Sequence, residues 1–212
     1  MIIAFGGVKG GVGKTTLAVN MAVMRSLEGR DILLVDADDQ STASDFTAIR
    51  NETLETGAGY TAIKLHGSAV RSEVMRMAEK YDDIVIDVGG RDTAGQRAAM
   101  SIAQRLLVPF LPGSFDVWTL ETVAELVEEA KAFNDSLTVY TVLNRADHVG
   151  QDNEEAASIA LEIEGLQHLD TPLGNRKVFR NAGGMGLGVV EYRPKDKKAI
   201  AEVSSLYTAL FA

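Results

Sequence analysis

The residues best suited to chemistry lie near the amino terminus, in Lys9-Gly10-Gly11-Val12-Gly13-Lys14-Thr15-Thr16. Glycines at this density let consecutive backbone N–H groups turn toward one centre, which makes a nest for an anion. A short apolar run, Ile2–Gly6, leads into the stretch and helically spaced residues lead out of it. The positive end of a helix is thereby aimed at the same point. Lys14 supplies a full positive charge placed for the β- and γ-phosphates of a nucleotide, and the Thr15 hydroxyl is placed to ligate Mg2+. Strand, glycine-rich turn and helix in this order read as a phosphate-binding loop.

Carboxylates end two further apolar runs. Ile32–Asp36 continues into Ala37-Asp38-Asp39-Gln40-Ser41, and Ile84–Asp87 stops at a single acid. In an open parallel sheet ligands bind outside the carboxyl ends of the strands, so Asp36, Asp38 and Asp87 belong beside the phosphates and the metal. Asp87 is expected to hold Mg2+ through a water. The acids after the second run could also do no more than cap a helix beginning near Ser41.

The elements that must position these groups follow a regular rhythm. Ile2–Gly6, Ile32–Asp36, Ile84–Asp87, Leu106–Phe110 and Thr138–Leu143 read as buried strands, short and without polar alternation. Lys14–Glu28, Ser68–Lys80, Ala94–Gln104, Leu120–Phe133 and Glu154–Glu164 carry helical spacing. Alternation of this kind predicts an α/β fold, a mostly parallel sheet with helices on both faces. Nothing looks like a linker or a repeat, so residues 1–212 read as a single domain, with Asn51–Gly59 as an exposed loop.

The first loop departs from the general G-x-x-x-x-G-K-[ST] pattern, because Val8 stands where its first glycine would be. With Lys9 before the glycine pair it resembles instead the deviant Walker A signature K-G-G-x-G-K-[ST] of the ParA/Soj/MinD family of P-loop ATPases, most of all the short partition ATPases. The resemblance implies a P-loop NTPase fold and an Mg-dependent ATPase that dimerises in the ATP state, with Lys9 reaching the partner's phosphates. Asp36-Ala37-Asp38-Asp39-Gln40 resembles the family's D-x-D-P-Q segment, with Asp39 in place of proline. By position, Asp38 would orient the attacking water and Asp36 would support the Mg2+ site. Val108–Asp116 resembles the family's proline-containing segment near the base and the dimer contact. Asn144 resembles its strand-end Asn, where an amide can read the adenine edge; a turn-forming Asn is the alternative. Arg91 and Asp92 receive no role.

The chain carries a net charge of −9, yet residues 176–198 hold seven Lys or Arg against Glu191 and Asp196. Basic groups in this region of ParA-like proteins bind DNA without sequence preference. The resemblance extends that role to Arg176, Lys177, Arg180, Lys195, Lys197 and Lys198; a solvated charged face is the plainer reading. The glycine-rich stretch Gly183–Gly188 between them links no strand to a helix and is no dinucleotide fingerprint.

The function implied is ATP-controlled DNA binding that segregates or positions cargo, with a centromere-binding or cargo-adaptor protein stimulating hydrolysis. The resemblance does not separate plasmid or chromosome partition from the placing of carboxysomes, chemoreceptor arrays or the division site. A MinD-like membrane ATPase, using the amphipathic Ala199–Ala212, and a metabolic P-loop enzyme resembling dethiobiotin synthetase are rivals. No signal peptide or membrane span is visible, so a cytoplasmic, nucleoid-associated location without membrane attachment is expected. The absence of cysteine excludes thiolate metal sites and iron–sulfur ligation through Cys. His66, His148 and His168 are scattered, and Trp118 reads as a core residue.

Overall fold

The computed structural model describes residues 1–90, 93–148 and 151–211, with only the backbone described at 114–117. The central strands form where β-branched and leucine-rich runs can be buried on both faces: β1 (Ile2–Phe5), β2 (Ile32–Ala37), β4 (Asp83–Val88), β5 (Arg105–Phe110) and β6 (Thr138–Leu143). Two further strands, β3 (Thr61–Lys64) and β7 (Gln167–Leu169), close the edges. The sheet order is β3-β2-β4-β1-β5-β6-β7, and every neighbouring pair is parallel.

Side chains alternate across this sheet and divide the core in two. Ala4, Leu33 and Val35 meet α3 (Ala69–Met77), α4 (Ala94–Met100), α5 (Ser114–Lys131) and α6 (Asp152–Glu162) on one face. Ile3, Phe5 and Leu34 meet α1 (Lys14–Leu27), α2 (Thr42–Thr53), α7 (Lys177–Gly183) and α8 (Lys197–Phe211) on the other. The α/β expectation is confirmed.

Several local expectations are corrected. Thr61–Lys64 and Gln167–Leu169 carried no signal because edge strands are short and bury little. Asn51–Thr53 ends α2 rather than opening a loop. Helix α5 begins at Ser114, before the expected Leu120, and α4 stops at Met100. Trp118 is 59% exposed: at 100° per residue it points away from the buried stripe of Leu120, Val123 and Val127. The C-terminal helix packs on its own domain, with Val203, Leu206 and Leu210 fully buried. Burial of such side chains stabilises by roughly 1.5–3 kcal/mol each, which a lipid surface could claim only by undocking the helix. No helix among the described residues is long and apolar enough to cross a membrane.

Candidate nucleotide and metal site

Strand β1 ends at the centre of the sheet, where the strand order reverses, and the loop after it lies in that crevice. Helix α1 starts at Lys14 with no side chain capping it, so its first N–H groups stay available to an anion. The residue before it, Gly13, has φ +98, and a Cβ there would stand 2.3 Å from the Asn144 amide nitrogen. Only glycine satisfies both constraints.

Lys14 is buried, and its Nζ donates to the Lys9 carbonyl at 2.7 Å. Burial lowers its pKa, against the pull of Asp87 and Asp38. Asp87 lies deeper still. It is 0% exposed, and apart from the neighbouring Thr15 hydroxyl its carboxylate oxygens meet no hydrogen-bonding group. Burial raises its pKa to about 7, opposed by the neighbouring Thr15 hydroxyl and Lys14, while Asp36 and Asp38 add to the rise. A buried carboxylate with unused lone pairs beside a threonine hydroxyl fits a hard cation. No group of three or more His, Cys, Asp or Glu that could hold a metal exists among the described residues. Asp87 beside the Thr15 hydroxyl suits Mg2+, which takes few protein ligands and completes its sphere with water and phosphate.

The remaining acids separate in role. Asp36 Oδ2 accepts from Ser44 N and Ser44 Oγ, both at 2.7 Å, and Oδ1 accepts from Asp38 N at 3.3 Å. Asp36 thus holds the first turn of α2 and the loop before it. Asp38 is half-buried, and its Oδ1 accepts from Gln40 N at 3.1 Å. Asp38 and Asp39 join Gly10, Gly11, Lys14 and Thr15 around a cavity of about 740 Å³. Arg91 and Asp92 lie outside the described residues, as do the side chains of Ser114, Phe115 and Asp116 at the end of the proline-containing segment.

A second cavity, of about 490 Å³, shares Gly13 and Thr16 with the first. Asn144 lines it, with Nδ2 donating to Val12 O at 2.7 Å and Oδ1 accepting from Arg145 N at 3.0 Å. Asn144 thus ties β6 to the phosphate loop.

The six expected DNA-binding residues fall into two groups. Arg176, Lys177 and Arg180 wall the second cavity, whereas Lys195, Lys197 and Lys198 line a groove with Asn181. Arg176 is taken by Glu202, with Nε donating at 2.8 Å and Nη2 at 2.5 Å, and this pairing raises its pKa. The other five side chains are exposed.

Some residues around the loop had no signal in the sequence. Gln96 on α4 is 2% exposed and accepts from Gly7 N at 3.2 Å, which steadies the entry to the loop. His66, after β3, lines the larger cavity and lies 3.4 Å from Asp39. Phe179 and Arg145 line the smaller one. Each arrives from a distant part of the chain with no motif of its own.

Comparison with known proteins gives the fold and the family. The Maintenance of carboxysome distribution protein A of Halothiobacillus neapolitanus is 26% identical over 206 residues, covering 96% of this chain and 93% of that protein. Among solved structures, the Cyanothece McdA–ATP complex superposes with a TM-score of 0.78 at 18% identity, over 97% of this chain and 95% of that one. The septum site-determining protein MinD of Pyrococcus horikoshii, complexed with Mg-ADP, gives 0.75 at 20% identity, over 99% and 95%. Structural likeness at identities this low shows the fold alone. Residues 3–206 match the CobQ/CobB/MinD/ParA nucleotide binding domain family as a whole, and with a phosphate loop built as described above, the chain belongs to that family.

Proposed function

We propose that this protein is an ATP-hydrolysing positioning factor of the ParA/MinD type, in which ATP-driven pairing of two copies controls binding to DNA and thereby the distribution of a cargo. The observation that carries the reading is the doubled lysine arrangement. Lys14 is buried against the phosphate loop, and Lys9 stands at the head of the same loop with its carbonyl fixed by Lys14. Binding a single nucleotide needs only one of these cations. Two lysines on one loop fit a site completed from a second copy, with Lys9 directed to the partner's nucleotide.

In this reading the triphosphate occupies the larger cavity, on the open N-terminus of α1 with Lys14 against its β- and γ-phosphates. Thr15 and Asp87 would hold Mg2+, which when bound neutralises charge on the phosphate oxygens. Asp38 has one oxygen engaged by Gln40 and uses the other to orient the attacking water. Lys14 and Lys9 stabilise the charge that develops on the transferred phosphoryl group. The base extends into the smaller cavity beside Phe179. Lys177, Arg180, Lys195, Lys197 and Lys198 meet DNA phosphates, and pairing doubles the positive charge offered to them. The protein would sit on the nucleoid, and an adaptor on the cargo would stimulate hydrolysis. The similarity to a carboxysome-distribution protein over nearly the whole chain supports a cargo of that kind as readily as a plasmid.

The test is Lys9→Ala followed by light scattering with ATP and Mg2+. Loss of the dimer with nucleotide binding retained supports the proposal; an unchanged dimer overturns it. Co-sedimentation with DNA under ATP, ADP and no nucleotide, at two salt concentrations, tests the DNA arm.

A further inference from the structure

The basic stretch Arg193–Lys198 is bracketed by two acids, Glu191 and Glu202, each held by an arginine: Glu191 by Arg50 of α2, and Glu202 by Arg176, which lines the smaller cavity. Arg50 lies near the end of α2 and is 2% exposed. Its Nε donates to Ala58 O at 2.8 Å and its Nη1 to Gly186 O at 3.0 Å. Nη1 and Nη2 then grip Glu191 at 2.7 and 2.9 Å. The loop between is pressed onto the helix: a Cβ on Gly186, at φ +66, would stand 2.4 Å from Arg50 N. Glu191 Oε2 also accepts from Gly188 N at 2.8 Å, which closes the turn.

The same loop is fixed to the phosphate-binding helix. Val189 N donates to Asn20 Oδ1 at 2.8 Å, while Asn20 Nδ2 donates to Thr16 O at 2.7 Å. At the far end of the basic stretch, Glu202 accepts from Gly174 N at 3.1 Å as well as from Arg176, and both of these residues line the smaller cavity.

Stability alone does not account for a buried Arg–Glu pair, since apolar replacements of similar volume are often as stable or more so. The pair does fix register between distant parts of the chain. Helix α2 is a rod of 12 residues, about 18 Å long, whose first turn is bonded to Asp36 and whose leading loop carries Asp38. Its other end holds Glu191. We infer that the Asp36–Asp38 loop changes its setting with the bound nucleotide, and that Arg50 and Glu191 form a positioning pair that passes this change along α2 into residues 186–198, and so sets how Lys195, Lys197 and Lys198 are presented. The inference rests on the proposed nucleotide-controlled basic surface and names the connection within it.

The test uses the full chain and the double variant Arg50→Met with Glu191→Leu, which removes both charges together. Hydrogen exchange of residues 184–199 is compared with ATP and with ADP, each with Mg2+, and DNA co-sedimentation is run in parallel. In the parent chain, exchange in this segment is expected to be about tenfold slower with ATP than with ADP, within the usual range of coupling between distant sites. The variant should keep ATP-driven pairing and lose both that difference and the ATP-dependent gain in DNA retention. Glu191→Gln, which keeps the shape and one acceptor, should fall between the two. Equal exchange in the parent under both nucleotides overturns the inference even if the double variant fails to fold, and so does a folded variant that keeps the full difference. If exchange behaves as expected but neither protein retains DNA, the connection stands and the DNA reading of the surface fails.

Discussion

The cavity around the phosphate loop and the surface formed by residues 174–202 treat charge in opposite ways. At the loop, Asp87 is buried with no partner beyond the Thr15 hydroxyl, and the N-terminus of α1 is uncapped. In the C-terminal region each acid that approaches the interior is answered: Glu191 by Arg50, Glu202 by Arg176. The first region holds electrostatic demand that a ligand must meet. The second has met its own, and six exposed cations, Arg193 among them, remain there for an external partner. The difference teaches which charged residues to test for ligand binding and which for structure.

The largest expected effect is at the loop. Lys14→Ala should lower ATP turnover by about 10²–10³-fold, measured as phosphate release at saturating Mg2+, because a preorganised charge aimed at the transferred group is removed. Residual turnover near the parent rate would remove Lys14 from the site.

Asn144→Ala comes next. The Val12 carbonyl loses its buried donor, with a cost of about 1–3 kcal/mol. Nucleotide affinity should fall roughly tenfold or more, an effect calorimetry can follow. If affinity is unchanged and only base preference relaxes, Asn144 reads the base after all.

Asp87 gives the comparison a pH axis. In the nucleotide-free protein its carboxyl is raised from 3.8 to about 7 by burial. Between those values the folded chain keeps a proton that the unfolded chain has released. The contribution to stability is therefore fully present below 3.8 and is lost as pH rises toward about 7. Thermal melts without nucleotide should show a midpoint that declines across this window, and Asp87→Asn should flatten the decline. Mg2+ with nucleotide should flatten it too, since a bound cation favours the ionised form. A parent profile as flat as that of the variant would contradict the unmet demand assigned to this residue.

The smallest effects belong to the exposed lysines. Lys197→Ala and Lys198→Ala should leave the melting temperature within experimental error. Each should reduce the salt slope of DNA binding by about 0.9 for every DNA phosphate left unneutralised. Arg176→Ala should do the reverse, lowering stability through the stranded Glu202 with little change in slope. If Arg176→Ala shifts the slope as much as the lysines do, the division between paired and available cations is wrong.

How much of the molecule is legible in the sequence depends on the range of the interaction. Lys9–Thr16 reads directly because its chemistry is local: consecutive N–H groups, two lysines and two threonine hydroxyls within eight residues. The five central strands read because burial on both faces leaves an unbroken apolar run. Thr61–Lys64 and Gln167–Leu169 do not, since an edge strand needs only a neighbour with free hydrogen-bonding groups. Asp36 and Asn144 read to the right crevice, but their bonds to Ser44 and Val12 do not, because side-chain partners are chosen by packing.

The sequence by itself determined that this chain is a parallel α/β domain gripping a nucleotide near its amino terminus. Both facts rest on periodicity and on a loop whose parts are adjacent. Only the tertiary structure decided which charges are spent. Arg50 finds Glu191 across 141 positions and Arg176 finds Glu202 across 26, and such meetings depend on how helices stack on the sheet. Folding therefore pairs Arg176 with Glu202 as a strut, and buries Asp87 with no cation side chain bonded to it.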